Sequence, residues 1–150
     1  MDIKKQDELL ATGQVLIQVL DSEGNVKEER KVKNLVVTTG KTYIAARMQG
    51  TSVPTVMGYM AIGTNTTTPA VANTALGTEA GRVALASFTS SGAQVTATAT
   101  FPAGTGTGAI TEAGIFNANS GGTMLCRTTF PVVNKAAGDS IAVTWVVTVS

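Results

Sequence analysis

The sequence predicts an all-β protein: a single antiparallel β-sandwich of the jelly-roll type with about eight strands, one short helix and an N-terminal arm. Apolar and polar residues alternate over 93–101 and over 141–149, which is typical of strands buried on one face. Turns rich in Gly, Asn, Asp and Ser recur about every ten residues, the spacing of sandwiches and barrels. No repeat unit recurs, so a solenoid or propeller is excluded.

Each element follows from its local pattern. Residues 1–12 carry mixed charge without a period and are predicted to form an arm, and residues 13–150 are predicted to form one domain. The helix is predicted over 40–48, where apolar residues have helical spacing and Gly50 follows. Strands are predicted over 13–20, 26–33, 57–63, 82–90, 93–101, 109–117, 123–133 and 141–149.

Composition argues against catalysis. The chain has no histidine, which removes the commonest general base and the commonest metal ligand. Its single cysteine, Cys126, allows no internal disulfide and is predicted to be a buried thiol. We therefore expect a protein that is not an enzyme and uses no cofactor and no metal.

The same composition indicates where the protein works. Charged residues make up 14% of the chain and the net charge is +1, against roughly 25% charged residues in a typical domain. Such a surface suits an assembled protein better than a free monomer. The first residues are too polar for a signal peptide, and no apolar run approaches the ~20 residues of a membrane helix. We expect synthesis and folding in a cytoplasm and no membrane partner.

Two motifs suggest chemistry at first sight. Residues 37–42 (VTTGKT) end like a phosphate-binding loop, but Leu35 stands where that motif has its first glycine. We interpret the segment as a helix start. Glu112 is isolated among small and apolar residues, and a buried carboxylate needs a partner. The sequence predicts a structural ion pair with Arg82 or Arg127, with a contact between subunits as the alternative.

Basic residues concentrate near the N-terminus. The candidates for contact with a partner are Lys4 and Lys5 in the arm and the cluster Lys27, Arg30, Lys31 and Lys33. Glu28 and Glu29 interrupt them, and no neighbouring aromatic residue offers base stacking, so no nucleic acid is expected. The cluster is interpreted as a solvated strand face, with contact to an acidic partner surface as the alternative.

Trp145 lies at the centre of the C-terminal alternation, with Val143 and Val147 on the same face. It is predicted to fill the core, with its indole nitrogen bonded to a carbonyl or a polar side chain.

Several stretches together resemble small virion structural proteins of tailed bacteriophages, and the similarity covers about residues 34–150. Capsid cement (decoration) proteins with a jelly-roll fold are the most similar group. The resemblance rests on 34–41 (NLVVTTGK), 59–65 (YMAIGTN), 67–70 (TTPA), 74–79 (TALGTE), 110–116 (ITEAGIF) and 122–127 (GTMLCR).

The resemblance implies a protein on the capsid surface that binds the shell of major capsid protein and stabilises the virion. Related patterns in tail, fibre and baseplate proteins make such a component the alternative. A carbohydrate-binding β-sandwich is a third interpretation, although Trp145, Tyr43 and Tyr59 lie in patterns typical of buried residues. The sparsely charged surface also predicts self-association, with a homotrimer favoured over a dimer.

Overall fold

Strands make up most of the molecule. The computed structural model describes residues 9–50 and 52–150, and within them it contains nine strands and one helix. In chain order they are β1 (Ala11–Leu20), β2 (Val26–Val36), α1 (Thr38–Gln49), β3 (Tyr59–Gly63), β4 (Glu79–Ala84), β5 (Ser87–Ser91), β6 (Gln94–Phe101), β7 (Gly108–Phe116), β8 (Met124–Lys135) and β9 (Ser140–Val149). The predicted all-β class with one helix is confirmed.

All paired strands are antiparallel and belong to one curled sheet, in the order β4-β3-β7-β8-β2-β1-β9-β6-β5. We call β5-β6-β9-β1-β2 the front layer and β2-β8-β7-β3-β4 the back layer. Side chains from both layers form one buried cluster between them, as in a sandwich.

At two corners the chain passes between the layers without an intervening loop, and loops 102–107 and 136–139 make the other two crossings. At the first, β2 pairs with β1 as far as Asn34, and its last two residues pair with β8 instead. At the second, the amide of Leu85 donates to Gly58 O in the back layer, at 2.9 Å. The next amide, of Ala86, donates to Thr98 O in the front layer, at 2.8 Å. This corner divides the predicted strand 82–90 into β4 and β5, which accounts for the ninth strand.

Trp145 lies in the core, as predicted, and its side chain is fully buried. The alternate residues Val143 and Val147 of β9 are buried on the same side. The predicted hydrogen bond of the indole is wrong, because Trp145 Nε1 has no partner among the described residues. Apolar packing alone therefore fixes this side chain, and its polar atom adds a desolvation cost.

The helix packs on the outside of the back layer. It begins two residues before the predicted start and ends at Gln49. Gly40 brings the helix against β8, because a Cβ at this position would lie 2.0 Å from Leu125 O. Thr39 Oγ1 donates to Met124 O at 3.0 Å, and Tyr43 Oη accepts from the amide of Met57 at 3.1 Å. The glycine is therefore required by close packing.

The boundary of the N-terminal arm differs from the prediction. Ala11 and Thr12 belong to β1 and pair with β9. The ladder continues one residue further, since Leu10 and Ser150 exchange backbone hydrogen bonds of 2.7 and 2.8 Å. Residues 1–8 lie outside the described residues, and with them Lys4 and Lys5.

Candidate binding surface

A buried carboxylate fastens a long loop to the back layer. Glu112 of β7 is fully buried and faces away from the core, where loop 64–78 covers it. Its Oε1 accepts from the amide of Gly77 at 2.8 Å, and its Oε2 accepts from the amides of Asn65 and Thr78 at 3.0 and 2.8 Å. Amides from both ends of the loop thus converge on one side chain.

Arg127 of β8 completes this arrangement. Its Nε and Nη2 donate to Glu112 Oε1 at 3.2 and 3.1 Å, and its side chain is 3% exposed. Its Nη1 donates to Thr67 O and to Asn73 Oδ1, at 3.0 and 3.1 Å. The predicted ion pair of Glu112 is confirmed with Arg127, and both partners hold the loop.

Arg82 pairs with Glu79 and not with Glu112, the partner considered from the sequence. Its Nη2 lies 2.6 Å from Glu79 Oε1, and Nη1 donates to the carbonyls of Ala118 and Gly121. The guanidinium lies 3.9 Å from the centre of the Phe116 ring, within cation–π distance. Arg82 therefore fixes the turn between β7 and β8 instead of binding Glu112.

The basic residues of β2 do not form one cluster. Lys27 Nζ pairs with Asp139 at 2.8 Å, and Arg30 donates to the carbonyls of Pro131 and Val132. Lys31 and Lys33 are exposed and form no ion pair with a carboxylate of the described residues. Of the four basic residues of β2, Lys31 and Lys33 are therefore the most open to a partner, and Lys4 and Lys5 lie outside the described residues.

Charged side chains near the end of β8 form hydrogen bonds with the turn 136–139. The hydrogen bond from Lys27, and next that from the amide of Ala136, lower the pKa of the Asp139 carboxyl. The same side-chain bond raises the pKa of Lys27. Lys135 is buried, donates to the carbonyls of Pro102 and Asp139, and has its pKa lowered by desolvation. Each of these three charged groups therefore has a hydrogen-bond partner within the fold.

The front layer presents a broad polar face on its outer side. Alternation in β1 places Val15, Ile17 and Val19 in the core, so the residues between them point outward. Strand register extends this outer face across all five strands. Its residues are Glu29, Lys31, Lys33, Thr12, Gln14, Leu16, Gln18, Ala142, Thr144, Val146, Thr148, Gln94, Thr96, Thr98, Thr100, Ser87, Thr89 and Ser91.

A shallow depression lies on this outer face. Its volume is about 450 Å³, and Gln14, Leu16, Lys31, Lys33 and Val146 are among its lining residues. A second depression of about 330 Å³ also has Gln14 and Val146 in its lining. The two depressions are adjacent because they share Gln14 and Val146, and we call them together the recess; Leu16 and Val146 line it, and Lys31 and Lys33 lie at its β2 side.

The sequence interpretation missed this recess. The signal was present in the residues between the buried positions of β1 and β9, which are Gln, Leu, Thr and Val instead of charged residues. Which strands lie side by side depends on pairings between distant parts of the chain, such as β1 with β9. A local pattern does not contain that information.

Three other residues singled out from the sequence are buried or half-buried. Cys126 is buried, as predicted, and desolvation raises the pKa of its thiol. Tyr43 and Tyr59 are half-buried and pack against the apolar clusters. Among residues 9–50 and 52–150, no three side chains of His, Cys, Asp or Glu lie close enough to hold a metal ion.

The one helix of the described residues is too short and too polar to cross a membrane. No protein-family model, curated protein or solved structure matches the chain. Its function therefore has to be argued from its own residues.

Proposed function

We propose that the protein is a capsid cement protein of a tailed bacteriophage, which binds the shell of major capsid protein from outside and stabilises the particle. The observation that carries the proposal is the outer face of the front layer. It spans five strands, and its only charged residues lie on β2. Because dehydrating a charge is costly, interface centres are depleted of charged residues in the same way.

The anchored loop supports the same role. Loop 64–78 lies over the back layer through bonds to Glu112 and Arg127. A loop that is already ordered loses little conformational entropy when a partner covers it, so more of the contact energy remains as binding energy. Both sides of the sandwich are then suited to contact with neighbouring subunits.

The resemblance and the outer face concern different parts of the molecule. The stretches that resemble cement proteins form the start of α1, most of the back layer and loop 64–78. Glu112 and Arg127 lie in two of these stretches. The resemblance therefore supports a shared scaffold, whereas the outer face of the front layer is where we expect contact specific to this protein's shell.

Binding of this kind stabilises a shell by linkage. A ligand that binds only the assembled, expanded state adds RT ln(1 + [L]/Kd) at each site to the free energy of that state. A virion offers many equivalent sites, and contacts that bridge neighbouring subunits add to one another through multivalency. No reaction is needed, which fits a chain without histidine.

The proposal is tested with shells of the phage that encodes the protein, prepared without it. Wild-type protein should co-sediment with expanded shells and raise their melting temperature. Val146→Arg places a charge in the recess and should weaken binding by about tenfold or more, the ratio expected for a loss of about 1.4 kcal/mol. Val132→Arg is the matched control, because Val132 is 42% exposed on β8 and lies outside the outer face.

The outcomes separate the candidate roles. Failure of the wild-type protein to bind shells, or equal binding by wild type and Val146→Arg, would contradict the proposal. Association with isolated tails and not with shells would favour a tail, fibre or baseplate component instead.

A further inference from the structure

One edge of the front layer has none of the usual protection. Strand β5 ends the sheet order, pairs only with β6 among the described strands, and is exposed along its whole length. Its residues Ser87–Ser91 include no charge and no proline. Natural edge strands usually carry such residues, because open backbone groups otherwise pair with another chain. By contrast β4, at the other end of the sheet, carries Glu79 and Arg82.

The ladder identifies which backbone groups of β5 are open. The amide of Val149 donates to Ala93 O at 2.9 Å, which shows that the odd-numbered residues of β6 bond to β9 and the even-numbered ones to β5. The β5 residues opposite those even positions are Ser87, Thr89 and Ser91. The amide and carbonyl groups of Phe88 and Ser90 therefore point away from the sheet.

We propose that β5 is a docking edge for a second copy of this chain, which adds antiparallel about a two-fold axis at Thr89. In this register Phe88 of each copy lies opposite Ser90 of the other. Both are outward-pointing residues, so each copy offers two donors and two acceptors and every one of them is paired. A two-fold contact uses the same surface on both copies and closes without leaving a free edge.

The side chains of β5 fit the same pairing. Phe88 points to the core side, opposite Ala97, and is still 38% exposed at the sheet edge. Across the axis the two Phe88 side chains are diagonal neighbours at about 7–8 Å, which aromatic rings can bridge. On the outer side, Thr89 faces its own equivalent, and no like charges oppose each other.

This contact goes beyond shell binding and does not depend on it. It would join the two front layers into one continuous sheet and double the width of the outer face. It also makes dimers, whereas the low charge of the chain alone favours a trimer, so the two expectations differ in the mass of the assembly.

Cross-linking tests the register directly. Thr89 and its equivalent form a non-hydrogen-bonded pair with Cα atoms about 4.5 Å apart, within the range that a disulfide spans. Thr89→Cys should therefore oxidise to a covalent dimer in the micromolar range. Thr100→Cys is the matched control, since Thr100 is equally exposed but lies on β6 near the opposite end of the strand. It should remain uncross-linked, and Cys126 is buried in both variants.

Sedimentation of the unmodified chain and of two further variants completes the test. Wild type should sediment as a dimer. Ser90→Pro removes an outward amide without removing a bond to β6, and Thr89→Lys opposes two lysines at the axis, so both should be monomers with unchanged far-ultraviolet circular dichroism. Thr89→Lys decides the result if Ser90→Pro misfolds. A wild-type monomer or trimer, or cross-linking of Thr89→Cys no greater than that of Thr100→Cys, would overturn the proposal.

Discussion

Glu112 connects parts of the molecule that are far apart in sequence. It accepts bonds from three amides of loop 64–78 and from the guanidinium of Arg127. Gly63 beside it has to be a glycine, because a Cβ there would lie 2.6 Å from Glu112 Oε2. A buried carboxylate is costly unless its lone pairs are satisfied, and here both oxygens are.

Replacement of Glu112 by Gln should be severely destabilising. The amide group of Gln would present hydrogens to backbone amides and leave Arg127 as an uncompensated buried charge. Removing one partner of a buried pair costs about 3–5 kcal/mol. Thermal unfolding should show this loss, and limited proteolysis should cut within loop 64–78 first.

Glu79→Gln is the control for that experiment. Glu79 also pairs with an arginine, but its own side chain is 37% exposed. Arg82, whose side chain is 8% exposed, keeps its bonds to the carbonyls of Ala118 and Gly121 when Glu79 is changed, so the loss should be smaller than for Glu112→Gln. Equal melting temperatures for the two variants would mean that the buried network contributes no more than a surface pair.

The orphaned indole nitrogen of Trp145 leads to a prediction with two variants. Trp145→Ala should cost about 3–5 kcal/mol, because it removes a large buried ring and leaves a cavity. Trp145→Phe should cost much less, because it also removes a donor whose burial costs about 1–3 kcal/mol. Melting curves measure both, and tryptophan emission from the wild type should be that of a buried indole. Equal losses for the two variants would contradict this account.

At the scale of single residues, the sequence predicted which groups are buried but not which hydrogen bonds they form. Isolation among apolar residues marked Glu112 as buried, and the period of two placed Trp145 in the core. The choice between Arg82 and Arg127, and the three loop amides, depend on strand pairings across the sheet. The missing partner of Trp145 Nε1 depends on the far side of the core, which no local pattern describes.

At the scale of elements, α1 depends on contact with β8 more than on its own helix-forming tendency. No side chain caps its N-terminus, and Gly40 is its one buried residue. A glycine is unfavourable inside a helix by roughly 1 kcal/mol relative to alanine. Close approach to the Leu125 carbonyl requires it nonetheless.

Gly40→Ala should therefore destabilise the protein, although alanine is the better helix former. The added methyl group has to push α1 away from β8, which breaks the bond from Thr39 to Met124 O. Gly138→Ala is the control, since a Cβ added there would meet no other atom within 4 Å and its φ is not positive. Denaturant unfolding should show a loss for Gly40→Ala and little change for the control. A gain in stability for Gly40→Ala would contradict the packing argument.

Most elements were predictable to within a few residues because alternation and turn residues are local signals. The two corners between the layers were not predictable from such local signals. Residues 82–90 have one alternating pattern, yet the backbone bonds of Leu85 and Ala86 point to different layers. Likewise β2 continues past the predicted end at residue 33 and changes partner between Asn34 and Leu35.

At the scale of the whole molecule, Leu10 is the first residue of the described chain whose backbone is paired with another strand. Deleting residues 1–8 should leave the melting temperature almost unchanged, because the backbone pairing of Leu10 with Ser150 is retained. If the arm contacts the shell, the same deletion should weaken co-sedimentation with it.

Deleting residues 1–12 is the comparison. It removes the first rungs of the ladder between β1 and β9 and should lower the melting temperature clearly. A large loss of stability on removing residues 1–8 alone would instead assign those residues to the folded core.

The two corners also determine how the molecule resists force. In a sandwich whose layers touch only through side chains, a lateral load can slide or part the layers while each sheet stays intact. Here covalent backbone passes from one layer to the other through β2 on one side and through Leu85 and Ala86 on the other. We therefore expect that parting the two layers breaks backbone hydrogen bonds near these corners, so that a load applied to one layer is carried in part by the other.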